Sequence, residues 1–234
     1  MLEQFSRTEI LLGNENMVKL YNSKVAIFGI GGVGSFAAEA LTRSGIGNII
    51  LIDYDIIDIS NLNRQIHADF NTIGQKKVIA MKNRLLNINK ELNIKVYDEM
   101  YTEENTHLLN KDYDYVIDAI DMVSAKISLI ENCNAMGIRI ISAMGAGNKL
   151  DPTQFQISDI YETNTCPLAK IMRKELRKRN IEKLKVVWSK EKPIKVNLEV
   201  EGIRKSVPGS VAYVPSVCGL ILAGEVIKDL IGGE

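Results

Sequence analysis

A glycine-rich stretch that follows a short apolar run is the first part of the sequence whose residue types could do chemistry. Residues 29–34 read GIGGVG and match G-x-G-x-x-G, a pattern in which a strand turns into a helix and backbone N–H groups approach phosphate. A carboxylate lies 19 positions later, at the end of the next apolar run, where it can accept hydrogen bonds from ribose hydroxyls. The context favours a nucleotide site over a purely structural turn, and its predicted residues are Gly29, Gly31, Gly32, Gly34 and Asp53.

A polar and charged set follows that a dinucleotide site does not need. Asn61 can donate and accept hydrogen bonds, and Arg64 offers phosphate oxygens a permanently charged planar fork. Lys77 opens the next predicted helix and could reach the same phosphates, while Asp121 ends a later strand and could hold Mg²⁺ through an oxygen. Because cleavage between the phosphates of a triphosphate requires fixed positive charge, the set favours ATP.

Taken one at a time, these residues have simpler interpretations. Arg64 and Lys77 could be surface charges, and Asp121 could be the N-cap of a helix. We interpret His67 and His107 as structural or surface residues, because neither has a partner in the sequence. The carboxyl ends of parallel strands would nevertheless bring the predicted site residues into one crevice.

The composition predicts a cytoplasmic protein with no membrane association. The chain has 234 residues, of which 46% are hydrophobic, and Lys+Arg and Asp+Glu both total 29. The chain can therefore form a substantial hydrophobic core, and its zero net charge gives no overall attraction to nucleic acid or membranes. The first residues lack the basic start and apolar run of a signal peptide, and no stretch reaches the roughly 18–20 apolar residues of a membrane span.

The three cysteines predict neither a disulfide framework nor a zinc site, because their number is odd and no C-x-x-C pair occurs. We interpret Cys133 and Cys218 as small apolar residues on helices. Cys166 precedes a basic helix, and no histidine adjoins it in the sequence to activate it. A structural role is the preferred interpretation for all three.

Alternating strand and helix patterns must position the site. Apolar runs predict strands at 24–28, 48–53, 94–99, 113–121 and 138–144, and helical periodicity fills the intervals. This pattern is typical of an α/β fold with a doubly wound, mostly parallel, Rossmann-like sheet. We predict an ATP-binding core over 1–147. The elaboration over 148–234 would face the substrate within the same globular unit, with shorter strands, a helix at 167–180 and a last helix starting near Ser216.

The runs GIGGVGS, LIDYDIIDISNLNRQ, GQKK and DAID together resemble the ubiquitin-activating-enzyme-like superfamily of adenylyltransferases. The resemblance covers about the first 145 residues and implies that an acid attacks the α-phosphate of Mg²⁺-ATP, giving an adenylate and pyrophosphate. It implies that Asp53 holds the ribose and that Asp121 serves magnesium and the transition state. Arg7 matches an arginine that crosses into the partner's site in homodimers. The remaining implied nucleotide and phosphate contacts are Asp55, Asn61, Arg64, Gln65 and Lys77.

The back half distinguishes among relatives. The pattern T-x-x-x-P-L-A from Thr163 and the run VVWSKEKP resemble the tRNA threonylcarbamoyladenosine dehydratases, which use ATP to cyclise this nucleoside to its hydantoin form with loss of water. Two departures are Cys166, where an Asp is expected, and the lack of a partly apolar C-terminal tail, which argues against membrane association. The alternative is an adenylyltransferase of a ubiquitin-like sulfur carrier, although the paired C-x-x-C motifs of one such type are missing.

A basic segment supports a tRNA partner. Residues 170–195 contain eleven Lys or Arg and three Glu, a net charge of +8 in a chain of zero net charge. Such a concentration suits phosphate backbones, although a solvated helix face is the ordinary explanation and Trp188 is the only aromatic residue available for stacking. The predicted tRNA contacts are Lys170, Arg173, Lys174, Arg177 and Lys178.

Two further functions share only part of the pattern. A nucleotide sensor without turnover would not need the whole set of Arg64, Lys77 and Asp121, and an NAD-dependent oxidoreductase would share only the glycine loop and Asp53. A sulfur-transfer protein partner stays open.

Overall fold

The structure is a computed structural model, and it describes residues 2–195 and 208–232. A single seven-stranded sheet has the order β3-β2-β1-β4-β5-β7-β6. The strands are β1 Lys24–Phe28, β2 Asn48–Ile52, β3 Asn93–Tyr97, β4 Tyr115–Asp118, β5 Ile140–Ala143, β6 Phe155–Asp159 and β7 Lys185–Ser189. The helices are α1 Ser6–Leu12, α2 Asn14–Asn22, α3 Gly34–Arg43, α4 Lys77–Ile88, α5 Val123–Met136, α6 Pro167–Lys178 and α7 Tyr213–Ile231.

The central strands are apolar on both sides because helices cover both faces of the sheet. In β1, the residues from Val25 to Phe28 are fully buried, and the strand pairs in parallel with β2 on one side and β4 on the other. Among the strands of the described residues, only β6 is antiparallel, and it pairs with β7 at the edge of the sheet. The strand order reverses direction between β1 and β4, so a ligand crevice is expected beyond the carboxyl ends of these strands.

The C-terminal helix α7 packs closely against α3. A Cβ atom on Gly219 would lie 2.2 Å from the carbonyl oxygen of Val33, so the absence of a side chain permits this approach. At its other end, α7 is anchored by Asp229, which accepts hydrogen bonds from Lys185 Nζ at 2.8 Å and from the Tyr115 hydroxyl at 2.6 Å. Burial raises the pKa of Asp229, but these bonds outweigh it and the pKa lies below its usual value.

The mostly parallel doubly wound sheet is confirmed, with differences at the ends of elements. Strand β4 ends at Asp118 rather than at 121, and α7 begins at Tyr213 rather than near Ser216. Pro215 therefore lies in the first turn of α7, where a missing N–H costs nothing. The sequence predicted shorter strands and loops over 206–219, and the described part, 208–219, forms a loop and the start of α7 without a strand. Residues 196–200, the end of another segment predicted as strand and loop, and residues 206–207 lie outside the described residues.

The division at residue 147 stays a prediction, although β6 and β7 join the same sheet as the first five strands. Among the helices in the described ranges, none combines the length and the apolar character that crossing a membrane would require.

Candidate active site

A cleft of about 450 Å³ opens beyond the carboxyl ends of β1, β2 and β4, with the glycine loop as its floor. Gly29 has φ +89°, and a Cβ there would lie 2.6 Å from the carbonyl oxygen of Ala119; a Cβ on Gly34 would lie 1.9 Å from the carbonyl oxygen of Gly29. These two positions therefore require glycine. At Gly31 a Cβ would meet nothing nearer than Gln65 Nε2 at 4.0 Å, so this glycine faces the open cleft.

Asp53 braces the glycine loop from the end of β2. Its Oδ2 accepts a hydrogen bond from the N–H of Ile30 at 2.6 Å, and its Oδ1 accepts one from the N–H of Asp55 at 2.9 Å. Burial raises the pKa of Asp53, opposed by the nearby charge of Lys77. Asp53 also lines the cleft, so it both shapes the loop and stands where the sequence predicted a ribose contact.

Lys77 is buried at the start of α4 and forms an ion pair with Asp55. The distance between Lys77 Nζ and Asp55 Oδ2 is 2.7 Å, and the N–H of Lys77 donates to the carbonyl oxygen of Asp55 at 3.0 Å. Asp55 thus holds the ammonium group at the helix N-terminus, where anions are favoured. A triphosphate entering the cleft would compete with the Asp55 carboxylate for this cation.

The segment after Asp58 forms a short helical turn that lines the next part of the cleft. Asn61 closes the turn, because its Oδ1 accepts from the N–H of Asp58 at 3.1 Å. Arg64 folds back so that Nη1 donates to the carbonyl oxygen of Ser60 at 2.9 Å. Gln65 is buried, and among the described residues its Oε1 has no hydrogen-bond partner. All three predicted side chains lie on the cleft.

Asp121 forms the opposite wall, exposed in the loop after β4. Tyr54, Asp55 and Asp121 all line the cleft, and the charge of Asp55, followed by burial and then the charge of Asp121, raises the pKa of Tyr54. The described residues contain no group of three or more His, Cys, Asp or Glu that could hold a metal ion. The donor set fits Mg²⁺, which takes one or two protein carboxylates and completes its shell with phosphates and water.

Sequence reasoning missed the apolar end of the cleft. Phe28, Ile52, Met100, Tyr101 and Met122 line it, and the rings of Phe28 and Tyr101 meet edge to face with centroids 5.1 Å apart. These residues give this part of the cleft an apolar lining against which a purine base could pack. They come from four separate segments, so no local pattern in the sequence could have grouped them.

A strap over residues 208–210 was also missed. The N–H of Gly209 donates to Asn148 Oδ1 at 2.6 Å, and the N–H of Asn148 donates back to the carbonyl oxygen of Gly209 at 2.8 Å. On the other side, Asn63 Nδ2 donates to the carbonyl oxygen of Ser210 at 3.1 Å. The strap joins the two halves of the chain across the cleft.

Arg7 is not brought to the cleft of its own chain. It is exposed on α1 and is absent from the residues that line the cleft. The neighbouring Phe5 packs near Gly45 and Met17, at the amino ends of the strands. Within one chain, the cleft is therefore lined by all the predicted nucleotide residues except this arginine and Gly34, which lies against the backbone of Gly29.

The predicted tRNA contacts on α6 differ in their surroundings. Arg173 donates to Thr163 Oγ1, and the guanidinium of Arg177 lies 5.0 Å from the centre of the Tyr161 ring. Lys178 pairs with Glu175 at 2.7 Å. Lys170 and Lys174 are exposed on the same helix.

The basic segment is also less uniform than its net charge suggested. Arg179 pairs with Glu175 and Glu131, and Lys185 pairs with acidic residues of α7 at the amino end of β7. The full +8 charge is therefore not presented on one free surface.

Burial is consistent with the structural interpretation of the cysteines. Cys166 is 1% exposed, and burial raises the pKa of both Cys133 and Cys218 to about 12. A thiol in such surroundings is a poor nucleophile. His67 is buried, and burial followed by nearby cations lowers its pKa to about 4; His107 is exposed beside Glu99 at 3.1 Å.

The doubly wound sheet, the glycine loop and the polar set around one cleft define a nucleotide-binding α/β protein. Residues 5–234 match the model of the ThiF family, and the chain belongs to that family. The resemblance to adenylyltransferases of this type is thereby confirmed.

Curated relatives and solved structures narrow the comparison. A Bacillus subtilis protein named tRNA threonylcarbamoyladenosine dehydratase is 49% identical, in a match that covers 99% of this chain and 96% of that protein. A crystal structure of the Escherichia coli tRNA N6-threonylcarbamoyladenosine dehydratase in complex with ATP matches with a TM-score of 0.90 and 33% identity, covering 98% of this chain and 94% of that one. A Candida albicans adenylyltransferase and sulfurtransferase is 35% identical, but the match covers 58% of this chain and 31% of that protein.

Proposed function

We propose that this protein is an ATP-dependent tRNA threonylcarbamoyladenosine dehydratase. The observation that carries the proposal is the cleft, which gathers the glycine loop and the predicted phosphate-binding side chains beside an apolar lining for a base. Similarity to the Bacillus subtilis and Escherichia coli dehydratases over nearly the whole chain supports the same function.

The reaction begins with attack of the threonyl carboxylate on the α-phosphorus of ATP. A carboxylate oxygen bonds to phosphorus, the bond to the bridging oxygen breaks, and pyrophosphate leaves. The carbamoyl nitrogen then attacks the activated carbonyl carbon, loses its proton and expels AMP. The ring closes, and one oxygen of the carboxylate leaves with AMP.

The residues on the cleft suit these steps. Backbone N–H groups of the glycine loop and the cations of Arg64 and Lys77 would stabilise the charge that develops on the phosphates. Asn61 and Gln65 would add hydrogen bonds, and Asp53 would accept from the ribose. When ATP binds, the ammonium group of Lys77 would leave Asp55 and pair with the phosphates instead.

Mg²⁺ is the metal that the donor set fits, and Asp121 would hold it, with Asp55 nearby. When bound, the ion would neutralise phosphate charge and favour departure of pyrophosphate. Asp121 suits this role because it is exposed at the mouth of the cleft, where it can share an ion with the triphosphate.

The tRNA would approach across α6. Lys170 and Lys174 are exposed on this helix, as are Arg177, which lies over the Tyr161 ring, and Lys178, which pairs with Glu175. The N-terminal end of α6 lies near the cleft, since a Cβ on Gly145, just beyond β5, would lie 3.5 Å from Cys166 Sγ. A phosphate backbone on α6 could therefore deliver a nucleoside to the cleft. We also infer a cytoplasmic location, because its tRNA substrate is found there.

We further propose a homodimer in which Arg7 completes the site of the partner. Arg7 is exposed and far from its own cleft, and α1 carries the most exposed apolar side chains of the described residues, Ile10 and Leu11, at 85% and 83%. Such side chains are candidates for burial against a second copy. A sulfur-transfer partner has no supporting contact among the described residues.

Activation of a ubiquitin-like sulfur carrier is the second candidate, and it is less supported. Its supporting observation is the match to adenylyltransferase and sulfurtransferase proteins, which is confined to 58–63% of this chain.

Mass spectrometry of nucleosides separates the two functions. We expect that tRNA carrying threonylcarbamoyladenosine, incubated with the protein and Mg²⁺-ATP, yields a nucleoside lighter by one water, with AMP released. An unchanged nucleoside, despite demonstrated ATP binding, would overturn the proposal and favour a protein acyl substrate.

A further inference from the structure

Beneath the cleft lies an ion pair between Asp118 and Lys126 that sequence analysis did not identify as a pair. Both side chains are 0% exposed, and Lys126 Nζ lies 2.9 Å from Asp118 Oδ2. Ser142, on the neighbouring strand β5, donates its hydroxyl to the same carboxylate oxygen. Asp118 is the last residue of β4, and Lys126 lies in the first turns of α5, so the pair spans the loop that carries Asp121.

The two side chains of the pair form hydrogen bonds with the N–H and the carbonyl oxygen of one residue of that loop. The N–H of Ile120 donates to Asp118 Oδ1 at 3.1 Å, and the carbonyl oxygen of Ile120 accepts from Lys126 Nζ at 3.0 Å. The preceding residue is fixed as well, because the N–H of Ala119 donates to the carbonyl oxygen of Phe28 at 2.8 Å. Hydrogen bonds to buried groups therefore hold the N–H of Ala119 and both the N–H and the carbonyl oxygen of Ile120.

The same loop touches the glycine loop. The carbonyl group of Ala119 packs against Gly29, and a Cβ at Gly29 would lie 2.6 Å from the carbonyl oxygen of Ala119. Any shift of the 119–121 backbone would therefore move the Asp121 carboxylate and also the glycine loop, where the phosphates would bind.

Stability alone does not account for a pair of this kind. Removing two charges from water costs several kcal/mol per ion, and apolar residues of similar volume often serve as well or better in a core. Both charges are fully buried, and their remaining hydrogen bonds go to the backbone of Ile120. Positioning of the 119–121 loop explains this arrangement better than a contribution to stability does.

We propose that the Asp118–Lys126 ion pair, with Ser142, fixes the 119–121 loop so that the Asp121 carboxylate is aimed at the metal–triphosphate group. Lys126 is a positioning residue: it acts through the Ile120 carbonyl and does not touch the nucleotide. This inference rests on the proposed function for the role of Asp121, but its geometry is independent of which acid is activated.

The test measures metal binding rather than turnover. Mn²⁺, used in place of Mg²⁺, is titrated into the protein in the presence of a non-hydrolysable ATP analogue, and bound ion is followed by electron paramagnetic resonance. We expect Lys126→Met to raise the half-saturating Mn²⁺ concentration by about 10- to 100-fold, the range found when groups that orient metal ligands are removed. Ser142→Ala, which keeps both charges, should give a smaller rise in the same direction, and it carries the test if Lys126→Met does not fold.

Two comparisons isolate positioning from general destabilisation. Lys185→Met removes a lysine from an ion pair at the opposite ends of the strands, and it should lower the thermal midpoint while leaving Mn²⁺ binding unchanged. Because Lys126 acts through Asp121, adding Lys126→Met to Asp121→Asn should change Mn²⁺ affinity little further.

Unchanged Mn²⁺ affinity in folded Lys126→Met, or in Ser142→Ala if the former does not fold, would overturn the proposal. Additive effects with Asp121→Asn, or wild-type protein that binds no Mn²⁺ with the nucleotide, would do the same. Wild-type protein that leaves tRNA unchanged but shows the expected coupling would refute the dehydratase function alone.

Discussion

Two glycines of one loop should respond in opposite ways to the same added methyl group. Gly31 faces the open cleft and does not have a positive φ, so Gly31→Ala should fold with its stability unchanged. The methyl group would occupy space that phosphate oxygens need against the backbone N–H groups. Losing one such charge-assisted hydrogen bond costs about 1.5–3 kcal/mol, or about 10- to 100-fold in ATP affinity.

Gly34→Ala should instead damage the fold. Its Cβ would lie 1.9 Å from the carbonyl oxygen of Gly29, and backbone atoms on both sides must move, so we expect a loss of about 1–3 kcal/mol or more. Gly224→Ala is the matched control, because a Cβ there meets nothing within 4 Å and the substitution should stabilise α7 by up to about 1 kcal/mol.

Calorimetry of ATP binding and thermal unfolding of the three variants distinguish these effects. If Gly31→Ala binds ATP as the wild type does, the phosphates do not rest on this loop and the assignment of the cleft is wrong. If it unfolds as easily as Gly34→Ala, the space around Gly31 is not open.

Three other perturbations probe separate parts of the molecule. Lys170→Gln with Lys174→Gln should weaken tRNA binding and lower the slope of log affinity against log salt by roughly two, with ATP affinity unchanged; an unchanged slope would make α6 a solvated helix. Mixing inactive Arg7→Ala with inactive Asp121→Ala should restore partial activity through heterodimers, and no recovery despite subunit exchange would exclude a shared site. Asp229→Asn should lower the thermal midpoint at pH 7, and this difference should shrink as pH falls below about 3.9, because a lowered folded-state pKa contributes stability above the unfolded pKa that is lost as pH falls through the folded value; a pH-independent difference would contradict this.

Local patterns made the sheet and much of the site predictable. The strand at Lys24–Phe28 was predicted with its bounds, because an apolar run followed by a glycine turn is decided by neighbouring residues. The carboxyl ends of parallel strands meet at one edge, so Asp53 and Asp121 could be placed on one cleft before their contacts were known.

Contacts between distant segments could not be predicted. The ion pair of Lys77 with Asp55 joins residues 22 positions apart, and the sequence did not predict that these two residues contact each other. Lys126 lies among apolar residues of α5, and nothing local indicates that its ammonium group is fully buried against Asp118. Such partners are chosen by tertiary packing, which a single sequence does not display.

The most direct test of carboxylate activation follows one oxygen. The threonyl carboxylate of the substrate tRNA is labelled with ¹⁸O, the reaction is run in ordinary water with Mg²⁺-ATP, and the released nucleotide is weighed by mass spectrometry. Attack on the α-phosphorus predicts AMP that carries one ¹⁸O, together with unlabelled pyrophosphate. Unlabelled AMP, or ADP accompanied by ¹⁸O-labelled phosphate, would contradict activation through an adenylate in this cleft.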